Sequence, residues 1–243
     1  MVFTIHRGFS SLAWHSPVRS QRNFPKKTCM HTWIKICGTT CLEDALQSMD
    51  AGADALGFIF APSKRRVTPE QAQQIIGKLP REVEKIGVFM NSTAAEITMI
   101  AEHVGLTGIQ MHGDESAAEV YNHLPEGRRG MLRKIKTVLV QDGFASKFDS
   151  HVTIPGVVDA WLLDSGAGSG KTFDWPAARA QLSDRQERLI IAGGLTPENV
   201  GDALRAFDPW GVDVVSGVES APGRKDPEKL NAFVAAVRRA EKQ

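Results

Sequence analysis

An α/β chain closed into a single (β/α)8 TIM barrel is the fold this sequence predicts, and three observations carry the prediction. From Trp33 onward, eight short, β-branched apolar runs alternate with amphipathic segments. Strict alternation of that kind means parallel strands joined by helical crossovers. The length of 243 residues suits one closed barrel, which takes about 250 residues as a unit. An open doubly wound sheet is the alternative, and both place ligand sites at the carboxyl ends of the strands.

The first strand is WIKIC (33–37), which stops at Gly38, with a helix expected over 42–51. The second is ALGFIF (55–60), whose helix over 69–79 has Thr68 as cap and Pro69 in its first turn, where a missing N–H costs nothing. KIGVFM (85–90) leads to a helix over 94–104 behind Ser92, and GIQMH (108–112) to one over 115–124. RKIKTV (133–138) is followed by QDGFASKFDS, a poor helix former expected to be short or irregular. AWLLD (160–164) leads to a helix over 174–182. LIIAG (189–193) leads to one over 197–207, with Thr196 as cap and Pro197 in the first turn, and VDVVS (212–216) to the last, over 227–241.

Composition narrows the class. With 42% hydrophobic residues and a formal net charge of +1 the chain can bury a full core and lacks the basic balance of a nucleic-acid binder. No apolar run reaches the roughly 20 residues that span a bilayer. Neither a nucleic acid nor a membrane is therefore expected as partner. Three cysteines, Cys29, Cys37 and Cys41, are too few and odd in number for a disulfide scaffold, which fits a reducing, cytoplasmic setting. Cys37 and Cys41 form a C-x3-C pair with no second pair at zinc spacing, so no metal is expected.

Residues 1–30 stand apart from the expected barrel domain, 31–243. Five Arg or Lys lie in the first 29 positions and the first acid is Glu43. Such an acid-free leader has the composition of an organelle transit peptide. A disordered tail ahead of Met30 is the reading retained here.

Strand parity selects the candidate site. Side chains alternate faces, so Lys35 and Cys37 point one way while Ile34 and Ile36 face the helices. By the same count Gln110 pairs with His112, and Leu162 with Asp164. Three strands thus aim a thiol, an imidazole and a carboxylate inward at one end of the barrel. An inward polar group must be partnered or functional, because burying it unpaired costs a few kcal/mol. Lys35 is expected to pair with Asp213 of strand eight, which neighbours strand one once the barrel closes.

Glycines cluster after strands six, seven and eight, in GAGSGKT (166–172), AGGL (192–195) and SGV (216–218). Loops there commonly build a phosphate cup, since glycine lets backbone N–H groups approach an anion. A phosphorylated small molecule follows as ligand. GSGKT also looks like a Walker A loop, but that motif requires glycine at 165, where this chain has Ser165. In the loop after strand two, SKRRV (63–67) offers arginines able to fork onto a carboxylate.

Taken in order, KICG, GADALGFIF with SKRRV, GVF, QMHGDE, LLDS with GSGKTFDW, AGGLTPENV and the VDVVSGVES stretch resemble the phosphoribosylanthranilate isomerase family of tryptophan biosynthesis. The resemblance runs over essentially the whole chain from Trp33. It implies an Amadori rearrangement of N-(5-phosphoribosyl)anthranilate without metal or organic cofactor, by a monomer or homodimer. It also implies Cys37 as general base, Asp164 as general acid, Arg65 rather than Arg66 on the anthranilate carboxylate, and His112 as a positioning group. The phosphate cup maps to Gly168, Gly170, Gly193, Gly194, Ser216 and Gly217. Here the usual G-G-T-G before K-T-F is replaced by Gly166, Ala167, Gly168, Ser169 and Gly170, which shifts or softens that loop. These roles require Asp164 to hold its proton near neutral pH, and Cys37 to lose its own more readily than a free thiol, with Lys35 or Arg65 as the cation responsible. The family that performs the same rearrangement in histidine synthesis has aspartate in place of Cys37. The rival reading is a phosphosugar-binding barrel without catalysis.

Overall fold

The computed structural model describes residues 31–141, 144, 156–166, 172–182 and 187–242. Eight parallel strands close into a barrel in chain order. They are β1 (Trp33–Cys37), β2 (Ala55–Ile59), β3 (Glu84–Phe89), β4 (Gly108–Met111), β5 (Arg133–Leu139), β6 (Ala160–Asp164), β7 (Leu189–Ile191) and β8 (Gly211–Val214). Closure is made by β1 on β8, with Trp33 opposite Gly211 and Lys35 opposite Asp213. This is the barrel, and not the open sheet, of the two architectures the alternation allowed.

Helices α1 (Leu42–Asp50), α2 (Pro69–Ile76), α3 (Ala94–Val104), α4 (Ala117–His123), α5 (Glu126–Arg129), α6 (Trp175–Gln181), α7 (Val200–Phe207) and α8 (Pro227–Ala240) occupy the crossovers and the C-terminus. Thr68 caps α2 in a reciprocal box with Gln71, as its sequence suggests. Two other caps differ from expectation. Thr93, not Ser92, caps α3, because Glu96 three residues on can return the hydrogen bond. Helix α7 begins at Val200 rather than 197: Asn199 Oδ1 accepts from the Thr196 N–H at 2.8 Å, and this turn takes up Thr196 and Pro197 before the helix starts. The expected single helix over 115–124 is α4, with the short α5 beyond Pro125. Residues 1–30 and most of QDGFASKFDS lie outside the described residues; Phe144 from that segment is buried.

Strand parity sorts the core into two layers. Ile34, Ile36, Leu56, Phe58, Ile109, Met111, Trp161 and Leu163 pack outward against the helices. Trp33, Ala55, Ile86, Ile135, Ala160, Leu162, Ile190 and Ala192 fill the barrel interior. At the amino ends of the strands the interior is stoppered. Trp33 and Trp210 stack at 4.9 Å, the Arg133 guanidinium lies 4.8 Å from the Trp210 ring, and Arg133 also forks onto Glu84 at 2.6 and 2.7 Å. Arg188 adds a second cation 5.3 Å from Trp210. This stopper of aromatic rings and paired charges closes the amino end and leaves the cavity to the carboxyl ends.

Candidate active site

Above the apolar layer runs a polar cross-brace. Lys35, fully buried, donates to Asp213 Oδ1 at 3.0 Å and to Gln110 Oε1 at 2.8 Å, and Gln110 Nε2 reaches Thr137 Oγ1 at 3.3 Å. The expected Lys35–Asp213 pair is therefore present, and it spans the seam where the barrel closes. Burial alone would push the Lys35 pKa down, but Asp213 and the nearby Cys37 sulfur more than offset it and hold the ammonium above the ordinary lysine range.

One layer higher the barrel opens into a cavity of about 490 Å³ lined by Cys37, Arg65, His112, Asp164, Gly193, Gly194 and Ser216. Met90, Gln110, Ser165, Gly166 and Asp213 contribute to the same wall. Most of the candidate site thus meets in one place. Gly217 lies beside it in the short 3-10 turn Ser216–Val218. A Cβ at 217 would sit 2.0 Å from the Leu195 carbonyl oxygen, so only glycine lets the turns after β7 and β8 approach so closely. Gly168 and Gly170 lie outside the described residues.

Cys37 is buried at the end of β1. Its burial pushes the thiol above the ordinary cysteine range, against the opposing pull of Lys35, which corrects the expectation of a lowered thiol pKa. Desolvation wins because the sulfur sits inside a packed wall. The Lys225 ammonium bonds the Cys37 carbonyl oxygen at 2.6 Å rather than the thiol. Asp164, half-buried at the end of β6, accepts from the Gly166 N–H at 2.9 Å. His112 follows β4, its backbone N–H tied to the Phe89 carbonyl at 2.8 Å, and its Nδ1 is buried with no hydrogen-bond partner among the described residues.

Arg65 and Arg66 separate clearly. Arg66 is exposed and lies outside the cavity wall, while Arg65 lines it. The guanidinium of Arg65 is held by Glu219, with Nε at 2.8 and 3.1 Å from the two carboxylate oxygens and Nη2 at 2.6 Å from Oε2.

Three features of the site lie beyond the sequence reading. Gly57 on β2 faces Cys37, and a Cβ there would lie 2.5 Å from its Sγ; a glycine inside a strand is the signal that marks such a close approach. A hairpin of β9 (Glu219–Ala221) and β10 (Arg224–Lys225) covers the rim between Arg65 and Cys37, and Pro222-Gly223 is its turn signal. Glu219 itself carries no local signature, since its partners lie 154 residues upstream and 6 downstream.

The fold and the site define a (β/α)8 barrel with a polar cavity at the carboxyl ends of its strands, where enzymes of this architecture do their chemistry. Residues 34–236 match the family model for N-(5'phosphoribosyl)anthranilate (PRA) isomerase, and the chain belongs to that family. An N-(5'-phosphoribosyl)anthranilate isomerase of Magnetococcus marinus is 45% identical over 215 residues, 86% of this chain and 96% of its own. The one from Pelobacter propionicus is 43% identical over 83% of this chain and 93% of its own. Among solved structures, phosphoribosyl anthranilate isomerase from Thermotoga maritima superposes with a TM-score of 0.74 at 38% identity, covering 85% of this chain and 98% of that one. Another isomerase structure, 36% identical with a TM-score of 0.71 over 85% of this chain and 98% of that one, holds reduced 1-(o-carboxyphenylamino)-1-deoxyribulose 5-phosphate.

Proposed function

We propose that this protein is an aldose-ketose isomerase of tryptophan biosynthesis, converting N-(5-phosphoribosyl)anthranilate to 1-(2-carboxyphenylamino)-1-deoxyribulose 5-phosphate with Asp164 as acid and Cys37 as base. The observation that carries the reading is the convergence of Cys37, Asp164, Arg65 and the glycine turns of β7 and β8 on one cavity. Asp164 gives a proton to the ring oxygen as the bond from C1 to that oxygen breaks, and the anthranilate nitrogen supplies the electron pair, leaving an iminium at C1. Cys37 then removes the proton from C2, and the resulting enolamine relaxes to the ketone.

The raised thiol pKa fits this order of events. Burial disfavours the thiolate, and the iminium cation formed by ring opening favours it at the moment a base is needed. Arg65 takes the anthranilate carboxylate through the end of the guanidinium that Glu219 leaves free, and Gly193, Gly194, Ser216 and Gly217, with Gly168 and Gly170, take the phosphate. His112 orients the sugar. The setting is cytoplasmic, on the cysteine content, and the active form is a monomer or homodimer; monomeric variants of a dimeric relative from Thermotoga maritima have been crystallised.

Turnover of phosphoribosylanthranilate generated in place, followed by the change in anthranilate fluorescence, tests the reading. Activity is expected in the wild type and its collapse in Cys37→Ser and Asp164→Asn. A folded wild type that binds phosphosugar without turning it over would replace the isomerase with the binding-barrel reading.

A further inference from the structure

Arg65 does not approach the cavity as a free arm. A Cβ on Gly38 would meet Arg65 Cδ at 2.8 Å, so the arginine stem crosses directly over the residue that follows Cys37. Its head is locked by Glu219, which is 7% exposed and accepts three hydrogen bonds from the guanidinium. Glu219 is fixed in turn by the Gly223 N–H at 3.2 Å and by Lys225 Nζ at 3.3 Å, both on Oε1. Lys225 in turn bonds the Cys37 carbonyl, and Lys229 bonds the Glu219 carbonyl at 2.8 Å. This arrangement takes the Nε–H and one N–H of Nη2, and Glu219 leaves the N–H groups of Nη1 and the second N–H of Nη2 unclaimed.

We infer that Glu219 is a positioning residue that sets selectivity for a carboxylate-bearing aglycone, by fixing Arg65 so that one nitrogen edge faces the substrate. The inference rests on the proposed role of Arg65. Two charged groups already joined through a fork lose little rotamer freedom when a third joins them. Without the lock, the long arginine side chain must be ordered by the substrate itself. The side-on grip leaves the end-on edge of the guanidinium free, so Arg65 offers the substrate carboxylate a pre-aimed pair of donors, one on Nη1 and one on Nη2. Burial is the largest influence on the Glu219 carboxylate and pushes its pKa up, but Arg65 and Lys225 together outweigh it and keep the group below the usual range, charged at neutral pH.

The test compares N-(5-phosphoribosyl)anthranilate with N-(5-phosphoribosyl)aniline, which lacks only the carboxylate, in wild type, Glu219→Gln, Arg65→Ala and the double variant. The readout is the ratio of kcat/KM for the two compounds. Glu219→Gln is expected to lower that ratio about tenfold or more, mainly through KM for the carboxylated compound, while aniline turnover stays within about twofold. In the Arg65→Ala background the same change should leave the ratio unaltered. Equal losses on both compounds, or an effect that persists without Arg65, would reduce Glu219 to a structural residue. A wild type indifferent to the carboxylate would remove the Arg65 reading and this inference with it, an outcome visible before any Glu219 variant is made. Should the glutamine variant fail to fold, Glu219→Asp keeps the charge but shortens the reach, and the same loss of ratio is expected.

Discussion

The two ends of the barrel interior use the same strands for opposite ends. At the amino end the inward positions carry Trp33, with Trp210 stacked on it and Arg133 clamped between indole and Glu84. At the carboxyl end they carry Cys37, His112 and Asp164 around an open cavity, with a buried His112 nitrogen unpartnered among the described residues. Lys35, Gln110, Thr137 and Asp213 form the floor between them. The stopper and the candidate site are thus stacked along one axis, at Trp33 and Cys37 on β1 with Lys35 between them, and each should be open to disturbance without the other.

The largest effect should come from the open end. Cys37→Ser and Asp164→Asn should each cost about 10²–10⁴ in kcat while the thermal midpoint stays near that of the wild type; a large loss of stability in either would erase the contrast. Next comes the stopper: Trp33→Ala should cost about 3–5 kcal/mol in denaturant unfolding, with kcat/KM little changed well below the melting temperature. Smaller is the shift of a single titration. Because burial disfavours the thiolate, Cys37 should hold its proton to higher pH than a free thiol, whose pKa is about 8.5. Ultraviolet thiolate absorbance of wild type minus Cys37→Ser would locate the midpoint, and a value below that of a free thiol would mean Lys35 outweighs burial. The smallest effect belongs to Arg66→Ala, within about twofold in kcat/KM and about 0.5 kcal/mol in stability, since Arg66 is exposed and outside the cavity. A loss comparable to that of Arg65→Ala would sharpen the map of the rim in Arg66's favour.

Much of this was legible because strands impose a period of two. Parity separated Ile34 and Ile36 from Lys35 and Cys37, and the expected closure of strand eight on strand one foresaw the pairing of Lys35 with Asp213 across the seam. Boundaries were less legible where two residues competed for one task. Ser92 and Thr93 both suit a cap, and only the position of Glu96 decides between them. The late start of α7 depends on Asn199 folding back onto Thr196, a local contest that proline in the first turn does not announce. The thiol's raised pKa could not be read from the neighbours Lys35 and Arg65, because counting cations ignores how much water the packed wall removes. Glu219 was invisible for a different reason: its significance is entirely tertiary, in a hairpin that links Arg65 to Lys225.

The seam between first and last strands also bears on when the site comes into being. Cys37 is made well before Asp213, which holds Lys35, and before Glu219 and Lys225, which hold Arg65 and the Cys37 carbonyl. Chains emerge amino end first, and parallel pairing between distant strands is slow to form. A nascent chain halted before β8 would therefore carry the thiol without its setting. The proposed catalysis is a property of the closed barrel, switched on when β8 joins β1 rather than accumulated strand by strand.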